Sequence, residues 1–476
     1  MLFNSIQFCL FFIIVTTAYF LLPHKYRWFL LLAASCYFYM VFVPIYIVIL
    51  GFTIVVDYFA GIFIEKSQGR KRKLYLTASL IANIGVLAIF KYYNFINDNI
   101  TALLHGINYK NPIPYLSILL PVGLSFHTFQ AMSYTIEVYR GNQAAERNFG
   151  IYSLYVMFYP QLVAGPIERP QNLLYQFYQK HSFEYQRVSD GLKMMLWGLF
   201  KKLVIADRLA LYVNAVYSNP DQHSGLSALM ATVFFAFQIY CDFSAYSDIA
   251  IGAAKVMGFK LMTNFNRPYF SKSISEFWKR WHISLSTWFK DYLYISLGGN
   301  KVSIPRWYFN LFIVFLVSGL WHGANWTFII WGALNGFYLV GALLLQPLSK
   351  KIDEMLGLKK IAWLNNSVNI SITFALTCFA WIFFRANTVQ DAFTVIKKIF
   401  TFKGPLFYEN PSSLIYSFGG IAFLLLAEAK KEYYKGQFSL LANQNRLVRH
   451  LSYALLILII LLVGVFDGGQ FIYFQF

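Results

Sequence analysis

An all-α polytopic membrane protein, one domain over residues 1–476 with about 10–12 transmembrane helices, is the fold class this sequence predicts. Three observations lead there. Hydrophobic residues make up 58% of the chain and aromatic residues 20%, while charged residues reach only 13%, about half of a soluble protein's share. Mean hydropathy is +0.50. The apolar residues are gathered into runs near the roughly 20 residues a helix needs to cross hydrocarbon, with basic clusters between them.

In chain order the runs are 5–22, 28–43, 45–64, 74–93, 114–136, 226–256, 307–346, 361–384, 412–428 and 451–467, with weaker ones at 150–165 and 191–217. The first lacks a basic n-region and a small-residue cleavage site, which predicts a retained span rather than a signal peptide. The HKYR at 24–27 behind it favours an outside N-terminus. EKSQGRKRK at 65–73 is expected in the cytoplasm, either as a solvated loop or as an attractor of an anionic cosubstrate. The net charge of +19 would suggest nucleic acid in a soluble protein, but its placement between apolar runs points to the lipid surface and to no nucleic-acid partner. Cys9, Cys36, Cys241 and Cys378 show no CxxC pair and read as small hydrophobes. No repeat or low-complexity tract divides the chain, and the polar stretch 257–306 is too aromatic for a linker.

The 307–346 run carries the most information. From Trp307 to Leu345 it has no formal charge, and as one helix it would measure roughly 58 Å against about 30 Å of hydrocarbon. It must break, and SGLWHGANW at 318–326 offers Gly319, Gly323 and Asn325 for the break. The arm before Ser318 is too short to span, so His322 is expected inside the membrane at a cavity. An imidazole there is either a packing histidine bonded to a neighbouring carbonyl or hydroxyl, or a functional group.

Residues 275–300, SEFWKRWHISLSTWFKDYLYISLGGN, read as an amphipathic interfacial helix that carries His282 among Trp278, Trp281 and Trp288. Tyr240, Asp242, Ser244, Tyr246 and Asp248 form a polar run at the edge of a span, structural or tunnel-lining. Arg169 and Arg385 read as snorkelling side chains. Pro160, Gly165, Pro166 and Pro170 predict a re-entrant segment.

Several chemistries are unsupported. The chain has no G-x-S-x-G elbow, no HExxH or paired-cysteine metal spacing, and no GxxxxGK[ST] loop. Neither His322 nor His282 is followed by an H-x-x-x-x-D pattern, since Thr327 and Thr287 stand at the fifth positions. What remains is an imidazole acting as general base on a hydroxyl, with an activated acyl donor as driving force, no metal and no tightly bound cofactor.

The chain resembles the membrane-bound O-acyltransferase superfamily, and within it the bacterial branch around the alginate O-acetyltransferase membrane subunit. The residues that carry the resemblance are LPVGLSFHTFQAMSY (120–134), FYPQLVAGPIERP (158–170), YCDFSAYSDIAIG (240–252), NFNRPY (264–269), EFWKRWHISLSTWFKDYLYISLGGN (276–300), SGLWHGANW (318–326), FAWIFFRA (379–386) and FIYFQF (471–476).

The resemblance implies a ring of helices around a thinned centre, with a tunnel where a cytoplasmic acyl donor meets an acceptor. It matches the family's signature intramembrane histidine to His322 and its second histidine to His282. It further implies acetyl transfer, with acetyl-CoA as donor, to a secreted or cell-wall polysaccharide. A separate periplasmic or surface partner and a place in the bacterial inner membrane belong to the same implication. His322 is then expected to deprotonate or orient the attacking hydroxyl, with His282 assisting or shaping the site. Asn325 is expected to hold the His322 tautomer, Trp321 and Trp326 to line the tunnel or pack helices, and Asp242 and Tyr246 to support it. The alternatives are D-alanyl transfer to teichoic acid, and a transporter that uses the same cavity.

Overall fold

The computed structural model describes residues 1–117, 121–355, 361–408, 410–434, 443, 445–466 and 471–472. Residues 118–120 of the 114–136 run, residue 467 of the last run and residues 473–476 of the terminal motif lie outside the described residues. All regular structure among the described residues is helical. The chain packs as two compact units, one of Met1–Met195 with Tyr246–Met262, the other of Leu196–Ala245 with Thr263–Phe476.

The first unit holds α1 (Ile6–Leu21), α2 (His24–Met40), α3 (Tyr46–Lys66), α4 (Gly69–Leu87), α5 (Tyr93–His105), α6 (Leu124–Arg140), α7 (Phe149–Met157), α8 (Pro170–Leu173) and α9 (Tyr185–Phe200) up to Met195. A π turn at Ala88–Tyr92 joins α4 and α5 into one rod. Helices α3, α4 and α6 meet around buried polar groups. Ser79 Oγ donates to Asp57 at 2.6 Å and Asn83 Nδ2 donates to it at 2.9 Å. The polar contacts hold helices that lipid cannot drive together by the hydrophobic effect alone. After α7 the residues from Phe158 to Ile167 are buried and non-helical, as the prolines and Gly165 predict. Side chains satisfy this irregular backbone: Gln130 and Gln161 donate to Tyr155 O, and Tyr155 Oη donates to Glu168 O.

The second unit continues α9 from Leu196 through a buried π turn, Lys201–Ala206, into α10 (Asp207–Ser218). It contains α11 (Gly225–Met257) as far as Ala245, then α12 (Ile274–Arg280), α13 (Ile283–Phe289), α14 (Ile304–His322), α15 (Trp326–Leu344), α16 (Gln346–Met355), α17 (Ala362–Arg385), α18 (Val389–Thr401), α19 (Pro411–Tyr433) and α20 (Arg446–Val463).

Eight helices among the described residues are long and apolar enough to cross a membrane: α3, the α4–α5 rod, α11, α14, α15, α17, α19 and α20. The polytopic all-α class stands, and eight of the expected 10–12 spans reach that length among the described residues. The 5–22 run gives a helix of only 16 residues, and the 150–165 run gives nine residues of helix before its proline.

Two local expectations are corrected. Residues 275–300 form no single interfacial helix; the chain breaks between α12 and α13 at Trp281 and His282 and passes into a π turn at Lys290–Tyr294. The arm before the 318–326 break is also not short. Pro305 lies in its first turn, its backbone runs to His322, and its 19 residues make about 28 Å, a full crossing. Gly319 stays helical; the turn is Gly323 to Asn325, all with extended or non-helical backbone at the caps. A Cβ on Gly323 would run into the Phe328 ring, so glycine lets that ring close over the tip. The result is an antiparallel hairpin in which Gly319 faces Gly332 and Phe312 faces Gly336.

Candidate active site

His322 is the last residue of α14 and is 5% exposed. Its position at the hairpin tip is fixed by the glycine contacts below it, and its ring meets three aromatic side chains edge-on. Trp321 lies at 4.9 Å, Trp331 of α15 at 4.9 Å and Phe384 of α17 at 5.2 Å between ring centroids. Trp381 stacks on Trp331 and contacts Trp281, which ties this wall to the α12–α13 bend.

His282 is fully buried, and it sits at φ 42°, ψ 55°, in the left-handed region that L side chains seldom adopt. A segment from the NFNRPY motif clasps the bend. Ile283 N donates to Asn264 O at 2.9 Å and Asn266 N donates to Arg280 O at 2.9 Å. The ring packs edge-on against Phe243 of α11 at 4.6 Å, with Phe265 at 6.4 Å. Trp321 faces it at 6.3 Å, so one indole contacts both imidazoles. Burial pulls the His282 pKa from 6.5 down to about 3, so the ring is neutral at physiological pH.

The two histidines predicted from sequence are therefore brought into one aromatic enclosure within the second unit. Trp321 belongs to it, 4% exposed. Trp326 does not, because its side chain is 53% exposed at the start of α15. Asn325 serves the fold rather than the His322 tautomer. Its Oδ1 accepts from Thr327 N at 3.0 Å, capping α15, and its Nδ2 donates to Asn387 O at 3.0 Å. Asp242 lies in a buried ion pair: Lys202 Nζ stands 2.8 Å from both Asp207 and Asp242, and Asp242 also accepts from Ile472 N at 2.7 Å. Tyr246 falls in the first unit, stacked on Phe3. Arg385 is held rather than snorkelling, donating to Asn214 Oδ1 at 2.8 Å above the Tyr217 ring.

Sequence reasoning missed Phe243, Asn264, Trp331 and Phe384 as neighbours of the histidines. Their only sequence signal was membership of the motifs given above or, for Trp331, a tryptophan inside a glycine-bearing apolar span.

Two buried imidazoles walled by aromatic rings suit proton transfer from a hydroxyl in a place that keeps water from a reactive acyl donor. The fold and this enclosure define a polytopic helical membrane protein with two buried histidines in one aromatic enclosure. Residues 143–384 match the model of the membrane-bound O-acyltransferase family, MBOAT. The chain is 39% identical to the probable alginate O-acetylase AlgI of Pseudomonas aeruginosa, over 84% of its own length and 75% of the relative's. It is 36% identical to a peptidoglycan O-acetyltransferase of Helicobacter pylori, over 77% and 72%. A teichoic acid D-alanyltransferase of Streptococcus thermophilus is more distant, 29% identical over 47% and 57%. The chain belongs to the MBOAT family and is an O-acyltransferase.

Proposed function

We propose that this protein is a membrane O-acetyltransferase that moves acetyl from a cytoplasmic thioester donor, acetyl-CoA, to hydroxyl groups of a secreted or cell-wall polysaccharide. The observation that carries the reading is the pair of buried imidazoles sharing the Trp321 indole. The names of the two most similar relatives described above, both polysaccharide acetyl-transfer enzymes, support the acetyl group and the glycan acceptor.

In this reading the acceptor hydroxyl gives its proton to an imidazole as its oxygen attacks the thioester carbonyl. The C–O bond forms, the C–S bond breaks, and the proton passes to the departing thiolate, so the enzyme ends unchanged. His322 handles the hydroxyl, and His282 assists from the other side of Trp321. The Trp331 and Phe384 faces exclude water. Donor and acceptor meet at this enclosure in the inner membrane of a bacterium, and a separate periplasmic or surface protein completes delivery to the polymer.

The test uses the protein in proteoliposomes with radiolabelled acetyl-CoA, offered alginate-type oligosaccharides, peptidoglycan strands and teichoic polymer in parallel. Label should become covalently attached to one glycan as base-labile ester, and His322→Ala should abolish it. Label that crosses without covalent transfer would make the protein a transporter. Transfer only from D-alanyl carrier protein would move it to the teichoic branch.

A further inference from the structure

Two hydrogen-bond donors and one imidazole nitrogen of the α12–α13 bend converge on one atom. Ser284 N lies 3.2 Å from Asn264 Oδ1, Ser284 Oγ lies 2.9 Å from it, and His282 Nδ1 lies 3.1 Å from it. A backbone N–H can only donate, so the Asn264 atom facing the bend is the carbonyl oxygen and not the amide nitrogen. An amide oxygen can only accept. The nitrogen of His282 that faces it must therefore carry the proton.

We propose that Asn264 is a positioning residue that holds His282 as the Nδ1–H tautomer and leaves the basic lone pair on Nε2. The inference rests on the acyl-transfer reading for its purpose, but its geometry stands apart from it. Nδ1 at 3.1 Å is within bonding range, and the ring is wedged by Phe243 and Trp321, which limits rotation. Asn264 is itself fully buried, and its backbone oxygen accepts from Ile283 N, so both its backbone and its side chain grip the bend just after His282. The left-handed backbone at His282 belongs to the same device. Residues kept in sparsely populated conformations persist where their surroundings over-determine them, and they gather at working sites. A cap for α13 would need only the Ser284 N–H; the imidazole is an added partner.

With this tautomer Nε2 is the basic atom through which His282 assists His322 in the proton transfer. The imidazolium that forms is stabilised by its Nδ1–H pointing at the Asn264 carbonyl dipole, and it is reset when Nε2 releases the proton to the leaving thiolate. Any other tautomer would set Nδ1, a lone pair, against the Asn264 oxygen.

The experiment is solid-state NMR of the full chain in proteoliposomes with ¹⁵N-labelled histidine at neutral pH. His282→Asn assigns the resonances by difference and keeps a residue that tolerates the left-handed backbone. The wild-type protein should show His282 protonated at Nδ1 and bare at Nε2. A wild-type ring protonated at Nε2 overturns the proposal, whatever becomes of any Asn264 variant. Asn264→Leu should mix or invert the tautomer and lower kcat for acetyl transfer by roughly 10- to 100-fold with little change in KM for acetyl-CoA. Asn264→Asp, which keeps an accepting oxygen, should restore the Nδ1–H signal and most of the rate. Wild-type kcat in Asn264→Leu with the tautomer unchanged also overturns it. An Nδ1–H ring in a protein that transfers no acetyl from acetyl-CoA would uphold the tautomer and remove the acetyl reading.

Discussion

Gly319 and Gly332 touch backbone to backbone: a Cβ on either would stand 3.1 Å from the Cα of the other. Added at Gly319, it would also lie 2.3 Å from Phe328 O, a backbone atom that cannot swing aside. Gly319→Ala should therefore push the α14–α15 hairpin apart at the turn just below His322. The expected cost is about 1–3 kcal/mol, seen as a lower apparent Tm in detergent, with acetyl transfer falling further than the folded fraction. Gly341→Ala, where nothing lies within 4 Å, is the control and should leave both unchanged.

Lys202 sits between Asp207 and Asp242, each 2.8 Å away, and all three side chains are buried. Lys202→Met would leave two carboxylates facing each other with their cation gone. Breaking a buried pair in this way costs about 3–5 kcal/mol. Reduced yield of folded protein from membranes, partly recovered by adding Asp242→Asn, is the expected result. Full stability in the single variant would contradict the ion-pair role.

The polytopic class was readable because a membrane imposes its length on every crossing helix. The break near His322 was readable for the same reason, although its geometry was not. Of the three residues offered for the break, Gly323 and Asn325 bound the turn, whereas Gly319 packs within the helix rather than ending it, and the arm is longer than expected because the helix begins at Ile304. Asn264 was out of reach of local reasoning. It meets His282 across 18 residues, through a left-handed bend that no periodicity encodes. Asn325 misled for the opposite reason. It is near His322 in sequence, but a helix N-terminus claims its side chain first.

Phe384 and Trp331 close two sides of the His322 ring. Phe384→Ala should open the enclosure to water without removing the imidazole. Thioester hydrolysis measured as free CoA should then rise relative to ester formed on the glycan, several-fold in the ratio. An unchanged ratio would mean that these rings only pack.

The acid stability of the protein should carry the signature of His282. In the folded protein burial keeps its ring neutral down to about pH 3, whereas in the unfolded chain it takes up a proton near 6.5. Below 6.5 the unfolded state binds the extra proton, so this contribution to stability is complete above pH 6.5 and is lost progressively as the pH falls towards 3. At pH 4.5 the loss is roughly 2–3 kcal/mol relative to neutral pH. His282→Asn has no such group, and its other titrating residues are shared with the wild type and cancel. The drop in apparent Tm between pH 7.5 and 4.5 should therefore be larger for the wild type than for His282→Asn. Equal drops would show that His282 gains its proton in the folded protein, and so stands in a far wetter place than the Phe243, Phe265 and Trp321 rings give it.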